Sequence, residues 1–216
     1  MTDLILYIGN RRYSSWSLRP YLALAASELP FAARVIELDQ PGTAAAIAAV
    51  NPAGRVPVLH HGDLVVPDSL AICEYVAELA PDAGLWPRER GARARARAAV
   101  AEMHSSFGAL RRDMPQDLIG RYPGTGHTAE ALADAARVQA LWRTLRAAAP
   151  DGDGPFLFGA FTIADAFFAP VVGRFVTYGV PLDPTCQAYA DAVWARPAFA
   201  AWRAAAALEA PLPDHR

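Results

Sequence analysis

The sequence predicts an α/β half followed by an all-α half. Up to residue 80, short apolar runs of strand length alternate with stretches whose apolar residues recur every three or four positions. The stretch 81–88, PDAGLWPR, then interrupts the pattern with two prolines and a glycine. Beyond it only long three- and four-spaced patterns remain. The expected division is residues 1–80, a linker at 81–88, and an all-helical 89–216.

Leu4 to Ile8, LILYI, is a continuous apolar run ended by Gly9-Asn10, as expected of a strand buried on both faces, with Tyr7 as a core residue. Residues 17–29 predict a helix with Leu18, Tyr21, Leu22 and Ala25 on one side. Proline is tolerated in a first turn, so Ser17 is the expected N-cap and Pro20 the third helical residue, although Arg19, preceding a proline, resists helical dihedrals. Residues 34–38 form the second expected strand and 43–50 a short helix. Gly62-Asp63 between Val58-Leu59 and Leu64–Val66 is a hairpin turn. Pro67 closes that hairpin, and Asp68 or Ser69 caps the helix that follows. Pro57 belongs at a strand start, where a cis bond would turn the N–H and C=O of Val56 outward. The order is βαβαββα, with the first two strands parallel through a right-handed crossover, which is a thioredoxin-like arrangement.

In the second half, residues 88–113 predict one long helix carrying Val100, Met103, Phe107 and Leu110, ended by Met114-Pro115. Residues 128–149 predict another, with Leu132, Val138, Leu141, Trp142 and Leu145. Residues 151–155 read as a loop. Thr162-Ile-Ala-Asp165 has capping-box spacing, in which Thr162 bonds the N–H of Asp165 and the carboxylate bonds back. It opens a buried helix over 163–176. Trp194, Arg196-Pro197, Phe199 and Trp202 mark a last helix.

Composition narrows the function. A net charge of −2 over 216 residues leaves no footprint for nucleic acid. Arg88, Arg90, Arg93, Arg95 and Arg97 form the one basic run, and without interleaved aromatics it reads as a solvated or subunit-facing helix surface. Cys73 and Cys186 stand apart with no C-x-x-C and no paired histidines, which argues against a disulfide framework, a metal site or a dithiol motif and for a reducing compartment. Cys73 reads as a small buried hydrophobe. The start, MTDLILYIGNRR, lacks the basic, longer apolar pattern of a secretory signal, and no stretch reaches the length of a membrane span. A cytoplasmic protein with no membrane partner is expected.

The pattern N-P-x-G-x-V-P-x-L over 51–59, a hairpin, then D-S-x-A-I-x-E-Y from Asp68 resembles the N-terminal domain of the glutathione transferase family. The resemblance implies that Val56, between Arg55 and Pro57, pairs its backbone with the cysteinyl part of glutathione, and that Asp68 and Ser69 hold the γ-glutamyl end. The chemistry is sound in itself, since a serine at a helix N-terminus receives a carboxylate and a carboxylate such as Asp68 receives an ammonium. Leu157 to Gly159 before the Thr162–Asp165 box resembles that family's C-terminal domain. Ser14-Ser15-Trp16-Ser17 resembles the S-S-C-S motif of the zeta class, whose first serine meets the glutathione sulfur. Carry-over gives Ser14, with Ser15 as the fallback, while a serine cluster before a helix is also a capping signal that accounts for Ser17.

The energetics suffice. A thiol of pKa about 8.5 reaches about 6.5 with roughly 2.7 kcal/mol of differential stabilisation. One hydrogen bond to a charged group is worth about 1.5–3 kcal/mol, and a helix N-terminus about 0.3–1 kcal/mol. His104, in EMHSSF, resembles the E-L-H-K-x-F stretch of the beta class, with Ser105 in place of its lysine; a lone helical histidine is also an ordinary structural or surface residue. Trp16 in place of the zeta cysteine counts against maleylacetoacetate isomerase activity, and the lack of cysteine at position 14 counts against mixed-disulfide chemistry. The resemblance therefore implies a homodimeric transferase that joins glutathione to small apolar electrophiles, without metal or other cofactor. An isomerase, a glutathione peroxidase and a non-catalytic binding or assembly module are the alternatives.

Overall fold

The first strand, β1, runs Leu4–Ile8 in a computed structural model that describes residues 3–149 and 154–212. Strands β2 (Ala32–Val35), β3 (Val58–His61) and β4 (Leu64–Pro67) complete a sheet of order β2-β1-β3-β4. β1 pairs parallel with β2, Ile5 opposite Ala32, and antiparallel with β3, Leu6 opposite Leu59. The β3–β4 hairpin turns at Gly62-Asp63, with Gly62 at φ 57°, a conformation that favours glycine. Helices α1 (Ser15–Ser27), α2 (Thr43–Ala48) and α3 (Ser69–Leu79) complete the βαβαββα order.

Three local expectations need correction. β1 is buried on one face only: Leu4, Leu6 and Ile8 are inside, whereas Ile5 and Tyr7 are half-buried. Tyr7 is thus no deep core residue; its ring meets His60 edge-on at 4.9 Å. β2 begins two residues earlier than its apolar run implied, because pairing with β1 sets its register and ends it opposite Ile8. Leu38, expected in the strand, instead donates its N–H to Asn10 Oδ1 at 2.7 Å.

Ser17 is not the N-cap of α1. The helix starts at Ser15, so Pro20 is its sixth residue, and Ser17 Oγ accepts the Gly9 N–H at 3.1 Å. The hydroxyl ties the end of β1 to the helix instead of capping it. Gly9 suits the close approach there, since a Cβ would lie 2.7 Å from Leu38 Cδ1 and 3.1 Å from Ser14 Cβ and would push the Leu38 side chain aside.

The helical half comprises α4 (Arg90–Ser105), α5 (Gly108–Asp113), α6 (Ala129–Ala147), α7 (Ile163–Tyr178), α8 (Pro184–Ala195) and α9 (Pro197–Ala206), preceded by a 3-10 turn at Pro81–Ala83. The single helix expected over 88–113 is broken at Phe107, which is buried at φ 63°. Arg111 makes the break tolerable by donating to the carbonyls of Met103 and Ser106 at the end of α4. Asp134 accepts the Leu110 N–H of α5 at 3.0 Å. In α6 the cap is Thr128, which accepts from the Ala131 N–H at 3.1 Å, but Leu132 is exposed while Ala131, Ala135, Val138, Trp142 and Leu145 face inward. Of the loop expected over 151–155, positions 151–153 lie outside the described residues.

α7 is buried along almost its whole length and packs on α1, α4 and α8, so it is the axis joining the halves. Its start rests on the Asp165 carboxylate, which accepts the Thr162 N–H (2.8 Å), the Thr162 hydroxyl (3.1 Å) and the Leu157 N–H (3.0 Å). Burial nevertheless pushes this carboxyl up to about 6 against those donors.

The β1–α1 loop is clamped by the helical half. Glu209 accepts the N–H groups of Arg11 and Arg12, Trp202 Nε1 donates to the Arg11 carbonyl at 2.8 Å, and the Arg12 guanidinium grips both oxygens of Asp117 at 2.7 and 2.8 Å. The basic run, by contrast, is spent on local partners: Arg97 reaches Glu74 at 3.4 Å, Arg95 reaches Glu89 at 3.9 Å, and Arg93 donates to the Pro87 and Arg88 carbonyls. Among the described residues no helix is long and apolar enough to cross a membrane.

Candidate functional site

A cleft of about 510 Å³ opens between the hairpin and α4. Its walls bring together Arg55, Val56, Pro57, Asp68, Ser69 and His104, all singled out in the sequence, and add Trp16, Asn51, Ala53 and Pro67. The Val56-Pro57 bond is cis. Asn51 shapes the approach to it: its side chain donates to the Arg55 carbonyl at 2.6 Å and accepts the Ala53 N–H at 2.9 Å. Neither backbone polar group of Val56 has a partner among the described residues.

Opposite stands the start of α3. Asp68 is its N-cap, with Oδ1 accepting the N–H groups of Leu70 (2.7 Å) and Ala71 (3.2 Å). Its backbone sits at φ 75°, ψ 134°, a region rarely occupied by residues other than glycine, which is backbone strain in the wall of a cleft. Ser69, 1% exposed, is the first helical residue, and its hydroxyl has no hydrogen-bond partner among the described residues. A buried hydroxyl left unsatisfied is costly unless a ligand completes it. Asp68 takes the N–H groups of Leu70 and Ala71, so the Ser69 N–H and the helix dipole are what make the same spot attractive to a carboxylate.

His104, in the last turn of α4, approaches Asp68, with Nε2 3.3 Å from Oδ2. Burial lowers the imidazole below its ordinary value; Asp68 pulls the other way, and Arg19 and Arg111 reinforce the burial. Lowered in this way the ring is mainly neutral at pH 7, and its Nδ1 is buried without a hydrogen-bond partner among the described residues. With the ring neutral the contact is not an ion pair and is worth no more than an exposed one, about 0.2–1 kcal/mol. His104→Ala should accordingly raise the KM for the cleft's ligand only about 1.5- to 5-fold, with kcat nearly unchanged; a loss confined to kcat in steady-state kinetics would assign the ring a chemical role instead.

Ser14 and Ser15 do not line the cleft, although their neighbour Trp16 does. Ser14 is the N-cap of α1 but makes no capping bond; its Oγ lies 2.7 Å from Ser17 Oγ, which already accepts from Gly9. When Ser17 donates to Ser14, the Ser14 proton is released for another acceptor. Both Ser14 and Ser15 are largely buried, at 8% and 6% exposure.

Sequence reasoning missed Trp16, Arg19 and Arg111 as members of this region. Arg19 is wholly buried, its guanidinium 4.1 Å from the Trp16 ring centre and 4.7 Å from that of Phe167, and Arg111 lies 4.8 Å from Trp16. The available signal was a charged residue inside a helix whose neighbours Leu18, Leu22, Ala23 and Leu24 are apolar all round. No group of three or more His, Cys, Asp or Glu among the described residues could hold a metal ion. Cys73 is fully buried and its thiol is pushed up by that burial.

Comparison with known proteins agrees with this architecture. A probable maleylacetoacetate isomerase of Caenorhabditis elegans is 34% identical over 94 residues, 44% of this chain and 43% of that protein. A probable maleylacetoacetate isomerase of Vibrio cholerae is 40% identical over 95 residues, 43% of each. The matches thus span about two fifths of the length of these curated relatives. Among solved structures, a glutathione transferase homolog from Burkholderia gl BGR1 with bound glutathione aligns over 95% of this chain and 99% of its own at a TM-score of 0.71 and 26% identity. The family model for the glutathione S-transferase N-terminal domain matches residues 13–79, across β1's exit loop, the hairpin and α3, and the model for the C-terminal domain matches 91–205, from α4 to α9. By both of its halves, this chain belongs to the glutathione S-transferase family.

Proposed function

We propose that the chain is a glutathione transferase, in which the first 80 residues bind glutathione and the helices beyond residue 88 supply the electrophile pocket. The observation that carries this reading is Ser69, a buried hydroxyl without a partner at the head of α3, in the wall of the cleft. In this reading the γ-glutamyl carboxylate takes the Ser69 hydroxyl and the α3 N-terminus, its ammonium takes Asp68, and the cysteinyl backbone pairs with the unpartnered groups of Val56 beside Arg55 and Pro57. The thiol then lies toward the start of α1. Ser14 donates to the thiolate, its own hydroxyl supported by Ser17, with Ser15 the fallback. His104 orients Asp68 and takes no proton from the substrate.

Chemistry follows from that placement. The thiolate attacks a soft or aromatic electrophile, a carbon–sulfur bond forms, and the leaving group departs with its electron pair. Losing one hydrogen bond to the charged sulfur costs about 1.5–3 kcal/mol. Ser14→Ala should therefore lower kcat for conjugation about 10- to 150-fold with little change in the KM for glutathione, measured with an aryl halide. Unchanged kcat in Ser14→Ala and a loss in Ser15→Ala would move the role to the fallback.

The names of the curated relatives favour a second reading, a glutathione-dependent cis–trans isomerase of maleylacetoacetate type. Turnover of a cis-enone diacid with no net consumption of glutathione would establish that reading over conjugation. Either enzyme is taken to work as a homodimer, for which edge strand β4, with Leu64 and Val65 exposed on its two sides, offers an apolar edge.

A further inference from the structure

Arg19 has no counter-charge. Its Nε, Nη1 and Nη2 are all buried without a hydrogen-bond partner among the described residues, and it makes no ion pair. Such a residue is rare, because a buried cation normally keeps a carboxylate or carbonyl at its donors. The rings of Trp16 and Phe167 cover it and offset part of the lost hydration. They do so through their faces, however, and leave the guanidinium N–H groups unsatisfied.

Arg111 repeats the pattern. Its Nε and one terminal nitrogen serve the end of α4, but Nη1 is buried and unpartnered. The two guanidinium groups meet across one indole, Trp16, with centres 4.1 and 4.8 Å from its ring, and the His104 ring stands against the same indole at 5.3 Å. His104 Nδ1 is a further buried, unpartnered atom of this cluster. Asp68, the acid in electrostatic reach of Arg19, is already engaged by the α3 N–H groups and by His104. Burial lowers the affinity of Arg19 for its proton well below the ordinary value, and the like charges of Arg111 and Arg174 add to it, as expected of cations lacking an anion. Trp16, 37% exposed, and His104 are the members of the cluster that line the cleft, whereas Arg19 and Arg111 lie behind them.

We infer that the electrophile is a carboxylic acid: Arg19 and Arg111 receive its carboxylate, reached from the cleft when the Trp16 indole turns aside. The inference rests on the glutathione reading above and names the substrate class of the same site. The planar, forked donors of arginine match a carboxylate, and an anion there satisfies the three nitrogens of Arg19 and the Nη1 of Arg111, which have no acceptor among the described residues; Arg111 keeps its two carbonyls, with Asp134 the acid acting on it from a distance. The carboxylate takes no part in bond making. With an acidic aryl chloride, the thiol proton goes to solvent, the thiolate sulfur bonds the ring carbon that carries chlorine, and chloride leaves with the pair of the broken bond.

The test compares 4-chloro-3,5-dinitrobenzoate with its neutral primary amide at saturating glutathione, in the wild type, Arg111→Met and Arg19→Met. Glutathione binding to each protein is measured separately by calorimetry. The expected result is a wild-type KM for the acid at least about tenfold below that for the amide, a ratio that falls to about twofold or less in Arg111→Met. Because the ratio is taken within one protein, a loss of stability or of active fraction cancels, and Arg111→Met decides the matter if Arg19→Met does not fold. Turnover of both compounds with equal KM in the wild type, or a preference that survives Arg111→Met, overturns the inference and leaves the glutathione reading intact. Absence of calorimetric glutathione binding together with turnover of neither compound overturns both.

Discussion

Ser69→Ala is expected to raise the KM for glutathione about 10- to 150-fold while leaving the melting temperature unchanged or slightly higher. Within the protein the Ser69 hydroxyl has no partner among the described residues, so its removal takes no native interaction from the fold and relieves an unsatisfied buried group. In the complex it donates to the γ-glutamyl carboxylate, and a hydrogen bond to a charged group is worth about 1.5–3 kcal/mol, which converts to that range of affinity. Opposite signs on binding and stability distinguish a ligand-directed hydroxyl from a structural one. A variant that melts lower and binds glutathione normally would assign Ser69 to the fold. Steady-state kinetics and a thermal melt on the same preparation are sufficient.

Asp117→Ala is expected to destabilise the protein by about 3–5 kcal/mol, because it strands the Arg12 guanidinium in a largely buried position. The carboxylate accepts Arg12 Nε and Nη2, the N–H groups of Ile119 (3.1 Å) and Gly120 (2.9 Å), and the Tyr122 hydroxyl (2.8 Å). Burial pushes its pKa up, but the Arg12 fork, the Gly120 N–H, the Tyr122 hydroxyl and the Ile119 N–H together hold it down at about 2. A depressed folded-state pKa contributes stability that is fully present above the unfolded value of about 4 and is lost as pH falls through about 2. The wild type should therefore lose stability between about pH 4 and 2, and Asp117→Ala should show a shallower acid limb. In a chain of this size the change corresponds to a melting temperature lower by about 6–20 °C. Activity should fall as well, since the loop held by Arg12 leads directly into Ser14 and the start of α1.

The hairpin and the α3 cap were legible because their signals are local. Gly62-Asp63 carries the turn by backbone conformation alone, and Asp68 caps a helix whose free N–H groups lie two and three residues away. The same holds for Thr162 and Asp165, where the carboxylate bonds the backbone and hydroxyl of Thr162. The break at Phe107 left no trace, because Val100, Met103, Phe107 and Leu110 keep helical spacing across it and the residue that sustains it, Arg111, looks like any surface arginine. From neighbouring residues alone, a serine before a helix carries only a capping signal; the partner of Ser17, Gly9, is eight residues away. The cluster of Arg19, Arg111 and Trp16 was harder still. Its members come from α1 and α5, and only their packing against one another and Phe167 of α7 turns Arg19 into an unpaired buried cation and leaves Arg111 with one buried nitrogen to spare.

The central claim is that this fold holds glutathione with its sulfur ionised near neutral pH. The ultraviolet absorbance of the thiolate, followed against pH for glutathione bound to the wild-type protein at saturation, measures it directly. The account predicts a midpoint near about 6.5, two units below the free thiol at about 8.5, displaced upward in Ser14→Ala. A bound thiol that titrates at the free value in the wild type would contradict it.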